Sequence, residues 1–150
     1  TRSIEAARKL LRVNIVASAS PPINVERIAE SLGFRIVRLY AVPEEFSGIV
    51  SPKHRLIGIN GNHHRHRQRF TLAHEIGHVV LNHPPERACS LARIALLNRE
   101  ADAFASELLI PTDMLRVFFR TVKHPAALSR LFDVSEEAMA HKIRGLSFQA

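Results

Sequence analysis

Apolar residues recur at helical spacing through residues 3–17 (SIEAARKLLRVNIVA) and again through INVERIAESLG, where Asn24 reads as the N-cap and Gly33 as the C-terminal stop. A Ser-Pro-Pro break at 20–22 separates the two. The period then changes. Three short β-prone runs, FRIVRLY at 34–40, FSGIV at 46–50 and RLIGIN at 55–60, are joined by turns bearing Pro and Gly and predict a small antiparallel sheet. After the Asn-Gly-Asn turn at 60–62 the helical pattern resumes and runs to about Asn82, where His83-Pro84-Pro85 ends it. A further helix is predicted over about 95–109, and Pro111 opens another over TDMLRVFF. The tail, PAALSRLFDVSEEAMAHKIRGL, reads as two short helices around a tight turn, with Ser135 capping the second and Glu136 and Glu137 in its first turn. The pattern as a whole predicts an α+β chain. Residues 1–111 would form a domain in which the sheet packs on the central helix, and residues 112–150 a helical, helix-turn-helix-like region.

Composition narrows the setting. A chain of 150 residues with 46% hydrophobic content is long enough to bury a sizeable core as one compact domain. No window approaches the roughly 18 apolar residues of a membrane span, and the first thirty residues lack the order of a signal peptide, so a cytoplasmic chain with no membrane contact is expected. The single cysteine, Cys89, excludes an intrachain disulfide. A net charge of +7 attracts acidic proteins or nucleic acid, but arginines are spread along the chain, which a generally basic surface explains equally well. Only 65–69 forms a dense cluster.

That cluster opens the most informative stretch, HHRHRQRFTLAHEIGHVVLNH at 63–83, which holds six of the nine histidines. At its centre lies His74-Glu75-Ile76-Gly77-His78. Residues four apart on a helix sit about 40° around the axis and about 6 Å along it, so the two imidazoles face the same way. That spacing lets two neutral nitrogens approach one Zn²⁺, while Glu75, about 100° round, reaches a water on the metal and serves as its base. The flanking Phe70, Leu72, Ala73, Ile76, Val79, Val80 and Leu81 make the helix apolar almost all round, the profile of a buried element in which polar groups need partners. Gly77, without a side chain, marks a close approach by a neighbouring element.

A catalytic zinc site needs a third protein ligand. The position six residues after His78 is Pro84, and His83 lies about 180° around a continuing helix from His74, which leaves it to cap or pack at the helix end. Glu100 in READAFASELLIP borders the apolar stripe of Leu97, Ala101, Phe104 and Leu108, where an unpaired carboxylate is costly. Glu107, about two turns further along on nearly the same face, is its rival.

The segments VERIAESLGFRIV, FSGIV, LIGIN, RQRFTLAHEIGHVVLNH, EADAFASELLIPTDML and LSRLFDVSEEAMAHKI together resemble the ImmA/IrrE metallopeptidases, over nearly the whole chain. The resemblance implies a zincin-like fold, with His74 and His78 as zinc ligands, Glu75 as the catalytic acid/base and Glu100 as the third ligand. It also implies a role: relatives cleave helix-turn-helix repressors in stress responses or mobile-element induction, and some sit beside such regulators in toxin–antitoxin-like pairs. Two departures stand out. Many members carry an acidic residue two positions before the third ligand, where this chain has Asn98, and position 104, where some glutamate zincins have aspartate, is Phe. Asp102 is left as a candidate for the shell around the ligands.

The expected activity is therefore zinc-dependent endopeptidase cleavage of a partner protein, with an extended substrate segment added along FSGIV. Tyr40 and His66 are candidate transition-state stabilisers. His63, His64 and His66 form a basic entry to the central helix at the end whose dipole already favours anions, and Arg65 and Arg67 there are candidate docking residues for an acidic partner segment. The competing expectation is a catalytically silent or toxin-like zinc protein acting as a basic DNA- or regulator-binding module.

Overall fold

A computed structural model describes residues 1–147; the last three residues of the expected 112–150 region lie outside them. Among the described residues eight α-helices surround a three-stranded sheet. Helix α1 (Arg2–Val13) and the single turn α2 (Ile15–Ser18) replace the continuous first helix predicted, because the Asn14 side chain donates to the Leu10 carbonyl at 2.9 Å and breaks the ladder there. Helix α3 (Val25–Ser31) starts where Asn24 accepts from the Arg27 N–H at 3.1 Å, and it stops before Gly33, which takes the left-handed φ of 86° that glycine adopts without strain.

Strands β1 (Arg35–Leu39), β2 (Gly48–Ser51) and β3 (Leu56–Asn60) are ordered β1-β3-β2, with β1 parallel to β3 and β2 antiparallel to it. The sheet is thus mixed, which corrects the antiparallel expectation. Its cause lies in the eight residues 40–47. The buried Asn60 side chain donates to the carbonyls of Pro43 at 3.1 Å and Phe46 at 2.8 Å, folding this segment over the end of β3. The chain therefore re-enters one place further out, and β3 returns between the first two strands. β2 is left as an outer strand.

Helix α4 (Arg65–Val80) carries the histidine motif and packs on β2, β3, α3 and most extensively on α5 (Leu91–Leu109). Fully buried Leu72, Ala73 and Ile76 from α4 meet Ile57 and Ile59 from β3, and Phe104, Ala105 and Leu108 from α5. The close approach expected at Gly77 is present: a Cβ there would stand 3.0 Å from Phe104 Cδ1. Gly77→Ala should therefore cost about 1 kcal/mol or more, overpacking against a fully buried ring outweighing a helix-propensity gain of similar size, as a melt in denaturant would read.

Helices α6 (Thr112–Phe119), α7 (Pro125–Phe132) and α8 (Glu136–Ser147) complete the chain, and their Leu115, Leu128, Phe132 and Met139 enter the same hydrophobic core. Ser135 caps α8 as read from sequence, accepting from the Ala138 N–H at 3.0 Å. Among the described residues no helix is long and apolar enough to cross a membrane.

Candidate metal-binding site

The imidazoles of His74 and His78 meet at a half-buried edge of α4, with their Nε2 atoms 3.0 Å apart. Two ligands of a tetrahedral zinc at 2.0 to 2.1 Å would stand about 3.3 Å apart, so the pair matches two positions of such a site with almost no movement. The outer nitrogens are tied down. His74 Nδ1 lies 2.7 Å from Asp102 Oδ1, and His78 Nδ1 lies 2.8 Å from Nδ1 of His83. Burial alone would lower the His74 pKa, but the Asp102 hydrogen bond and charge, together with Glu75, raise it. For His78, burial and the neighbouring His74 and His83 push the value down to about 4, keeping this ring neutral, as a ligand must be.

His83 packs at the end of α4 as expected, and its ring also reaches the imidazole pair, which a helical projection does not show. Helix α4 does not continue to it: Leu81 caps the helix and Asn82 takes a left-handed φ of 56°, so the chain doubles back and the His83 N–H donates to the His78 carbonyl at 3.0 Å. The ring is thereby brought round to the imidazole pair. An Asn two residues past the last apolar turn, ahead of Pro84, was the available signal.

Glu75 projects inward beside the pair and is 8% exposed. Burial raises its carboxyl from 4.5 to about 7, against the opposing pull of His74, with a small further rise from Glu86. Next to it runs β2. A Cβ on Gly48 would sit 2.5 Å from Thr71 Cγ2, 2.9 Å from the Gly58 carbonyl oxygen and 3.7 Å from Glu75 Cγ. Only glycine lets the outer strand pass this close to Glu75. Gly48→Val should prise β2 off α4, costing about 1–3 kcal/mol. It should also lower affinity for extended peptides, read by titration of a labelled peptide.

The two carboxylates weighed as third ligand are placed differently. Glu107 is 2% exposed and fully engaged with Arg8, Lys142 and Thr112, remote in role from the imidazoles. Glu100 lies on His83, its Oε1 2.9 Å from His83 Nε2. Among the described residues no three His, Cys, Asp or Glu side chains form a group that could hold a metal; the His74–His78 pair matches two positions of a zinc site.

The remaining candidates have other partners. The Tyr40 ring covers Gly61, where a Cβ would meet it at 2.5 Å. His66 Nε2 lies 3.1 Å from Asp133 Oδ1. Arg65 donates to Asp133 Oδ2 at 2.7 Å, and Arg67 donates to Glu44 Oε1 and Ser47 Oγ, each at 3.2 Å. The basic entry to α4 thus has acidic partners within the chain, chiefly Asp133 at the left-handed C-cap of α7, which supplies negative charge to the helix N-terminus.

The family model for the IrrE N-terminal-like domain, a peptidase family, matches residues 29–144. No curated protein matches the chain in sequence. Among solved structures, a Mycobacterium tuberculosis transcriptional regulator is similar in fold, with a TM-score of 0.70 at 15% identity over 92% of this chain and 46% of that one. The chain thus spans about half the length of that regulator.

Proposed function

The chain belongs to the IrrE N-terminal-like domain family of peptidases, and from that premise we propose that it is a zinc-dependent endopeptidase. Its expected substrate is an extended segment of a regulatory protein, a helix-turn-helix repressor whose cleavage relieves repression. One arrangement carries the reading: a buried Glu75 beside the convergent Nε2 atoms of His74 and His78, with the outer strand β2 passing against it at Gly48. The similarity to a transcriptional regulator supports a regulatory setting for such a domain.

In this reading His74 and His78 hold the metal, and zinc, when bound, supplies Lewis-acid activation of water and of the peptide carbonyl. The chain's own residues do the rest. β2 accepts the substrate backbone along its unpaired edge, which fixes the scissile bond next to α4. Asp102 keeps the Nδ1 proton on His74, leaving Nε2 bare toward the metal. Glu75, whose carboxyl is raised to about 7 chiefly by burial, is matched to taking a proton from water near neutral pH and returning it to the leaving amine.

The test uses zinc-loaded protein and helix-turn-helix regulators from the same genome as candidate substrates, with fragments read by mass spectrometry. Wild type should cleave at one site, and Glu75→Gln should keep its zinc while losing at least about 100-fold in rate, the scale of a general base. Cleavage by zinc-loaded Glu75→Gln at the wild-type rate would remove Glu75 from the mechanism. Tight DNA binding with a steep salt slope and no cleavage would favour a binding module instead.

A further inference from the structure

Helix α5 turns two different edges toward the imidazoles. Asn98 and Asp102, four residues apart, share one edge. Asp102 meets His74 at 2.7 Å, and the Asn98 side chain, one turn earlier on the same edge, interacts with both His74 and His78. Glu100 lies two residues from each, about 200° around the helix, and reaches His83 rather than the pair. We infer that the amide of Asn98 occupies the third donor position facing His74 and His78, and that Glu100 is a positioning residue that holds His78 through His83. This rests on the reading of the pair as a zinc site.

A single proton arrangement satisfies these contacts in the metal-binding state. His74 Nδ1–H donates to Asp102, His78 Nδ1–H donates to His83 Nδ1, and His83 Nε2–H donates to Glu100 Oε1. Both Nε2 lone pairs are then free on the same side. A ligating histidine characteristically gives its other N–H to a carboxylate; His74 does so directly and His78 through one intervening ring. Turning Glu100 onto the metal would break that relay and leave the Nε2–H of His83, a side chain 3% exposed, without its acceptor. Asn98 needs no such rearrangement.

The consequence is a donor set of two imidazoles and a neutral carbonyl. Zinc sites of the hydrolytic type with two histidines take a glutamate third, whose negative charge offsets the dication. An amide oxygen brings none, and carbonyl oxygen is better suited to harder cations. Zinc affinity in this chain is therefore set low by one position, and the domain loads zinc only where free zinc is plentiful.

The full chain is titrated with zinc against a chromophoric chelator, in wild type, Asn98→Glu, Glu100→Gln, His83→Ala and the Glu100→Gln/His83→Ala double variant, with thermal melts confirming the fold. Asn98→Glu should tighten zinc by more than about 100-fold, beyond the 10–100-fold reach of changes around the ligands. Glu100→Gln and His83→Ala should each weaken it within that range, and the double variant no further, since both act through one contact. With Co²⁺ in place of zinc, Asn98→Glu should change the visible d–d spectrum and Glu100→Gln should not. Should Asn98→Glu fail to fold, Asn98→His serves the same purpose. The inference is overturned if Asn98→Glu leaves affinity unchanged while Glu100→Gln abolishes binding, or if the Glu100 and His83 effects add. Absence of zinc uptake by every protein in the series overturns the zinc reading along with it, whereas zinc uptake in the expected order without any cleavage defeats the peptidase proposal alone and upholds the donor assignment.

Discussion

Glu75→Gln should raise the melting temperature of the metal-free protein at pH 8 by about 10 °C and change it little below pH 5. The carboxyl is 8% exposed, and burial lifts it from 4.5 to about 7. A carboxyl whose folded value is raised contributes its stabilising protonated form fully below about 4.5. That contribution is lost as pH rises through about 7, because folding then forces a charge into a poorly solvated place. The rise from 4.5 to about 7 corresponds to about 3 kcal/mol, which for a chain of this size is a shift of about 10 °C. Glutamine keeps the shape and removes the ionisation. Melts at pH 5 and pH 8 with chelator present read the effect directly, and equal shifts at the two pH values would place the benefit in packing rather than in charge. A carboxyl that costs stability near neutral pH is the trade expected of a functional group, which is the role proposed for Glu75 beside the close passage of β2 at Gly48.

What could be read along the chain and what could not divide by the range of the interaction. The central helix, its apolar surround and the shared direction of His74 and His78 follow from local periodicity, which a helix converts to geometry without help from the rest of the fold. Asn24 and Ser135 were legible as caps for the same reason. The sheet was legible as three strands but not as a mixed one, since β1 and β3 pair through Asn60 holding a loop seventeen residues back, and no local pattern encodes that. At the site, the helical projection that excluded His83 was sound for a continuing helix; one left-handed residue, Asn82, made the projection irrelevant. Glu100 stood out because it borders the apolar stripe and matches the pattern that the family resemblance implies. The edge of α5 that faces the imidazoles is fixed by how Phe104 seats against Gly77, a contact between two helices that neither sequence segment announces. The arginines at 65 and 67 posed a similar problem: a charge run implies an acidic partner, and here Asp133 and Glu44 supply it from within the chain.

Glu107→Ala should be the most damaging single substitution away from the site, costing about 3–5 kcal/mol. The carboxylate is 2% exposed and gathers four groups: Arg8 Nε at 3.3 Å, Lys142 Nζ at 2.8 Å, and the N–H and hydroxyl of Thr112 at 3.0 and 2.6 Å. Those partners come from α1, α8 and the first residue of α6, so one side chain of α5 joins the N-terminal helix to α6 and α8. Burial alone would raise its pKa; the charge and hydrogen bond of Lys142 and the two bonds from Thr112 outweigh it and hold the carboxyl below its ordinary range. The stability it contributes is therefore present above about 4.5 and lost as pH falls through the depressed folded value, so acid unfolding should begin here. Alanine removes the acceptor and leaves the Lys142 ammonium, whose side chain is 12% exposed, uncompensated. Pairing Glu107→Met with Lys142→Met should recover part of the loss, because a buried ion pair replaced by apolar side chains of similar length costs less than one that is broken. Denaturant melts of the single and double variants at pH 7 measure this. A single variant no less stable than the double would mean that Lys142 finds solvent once its partner is gone, and that Glu107 stabilises the fold through Thr112 alone.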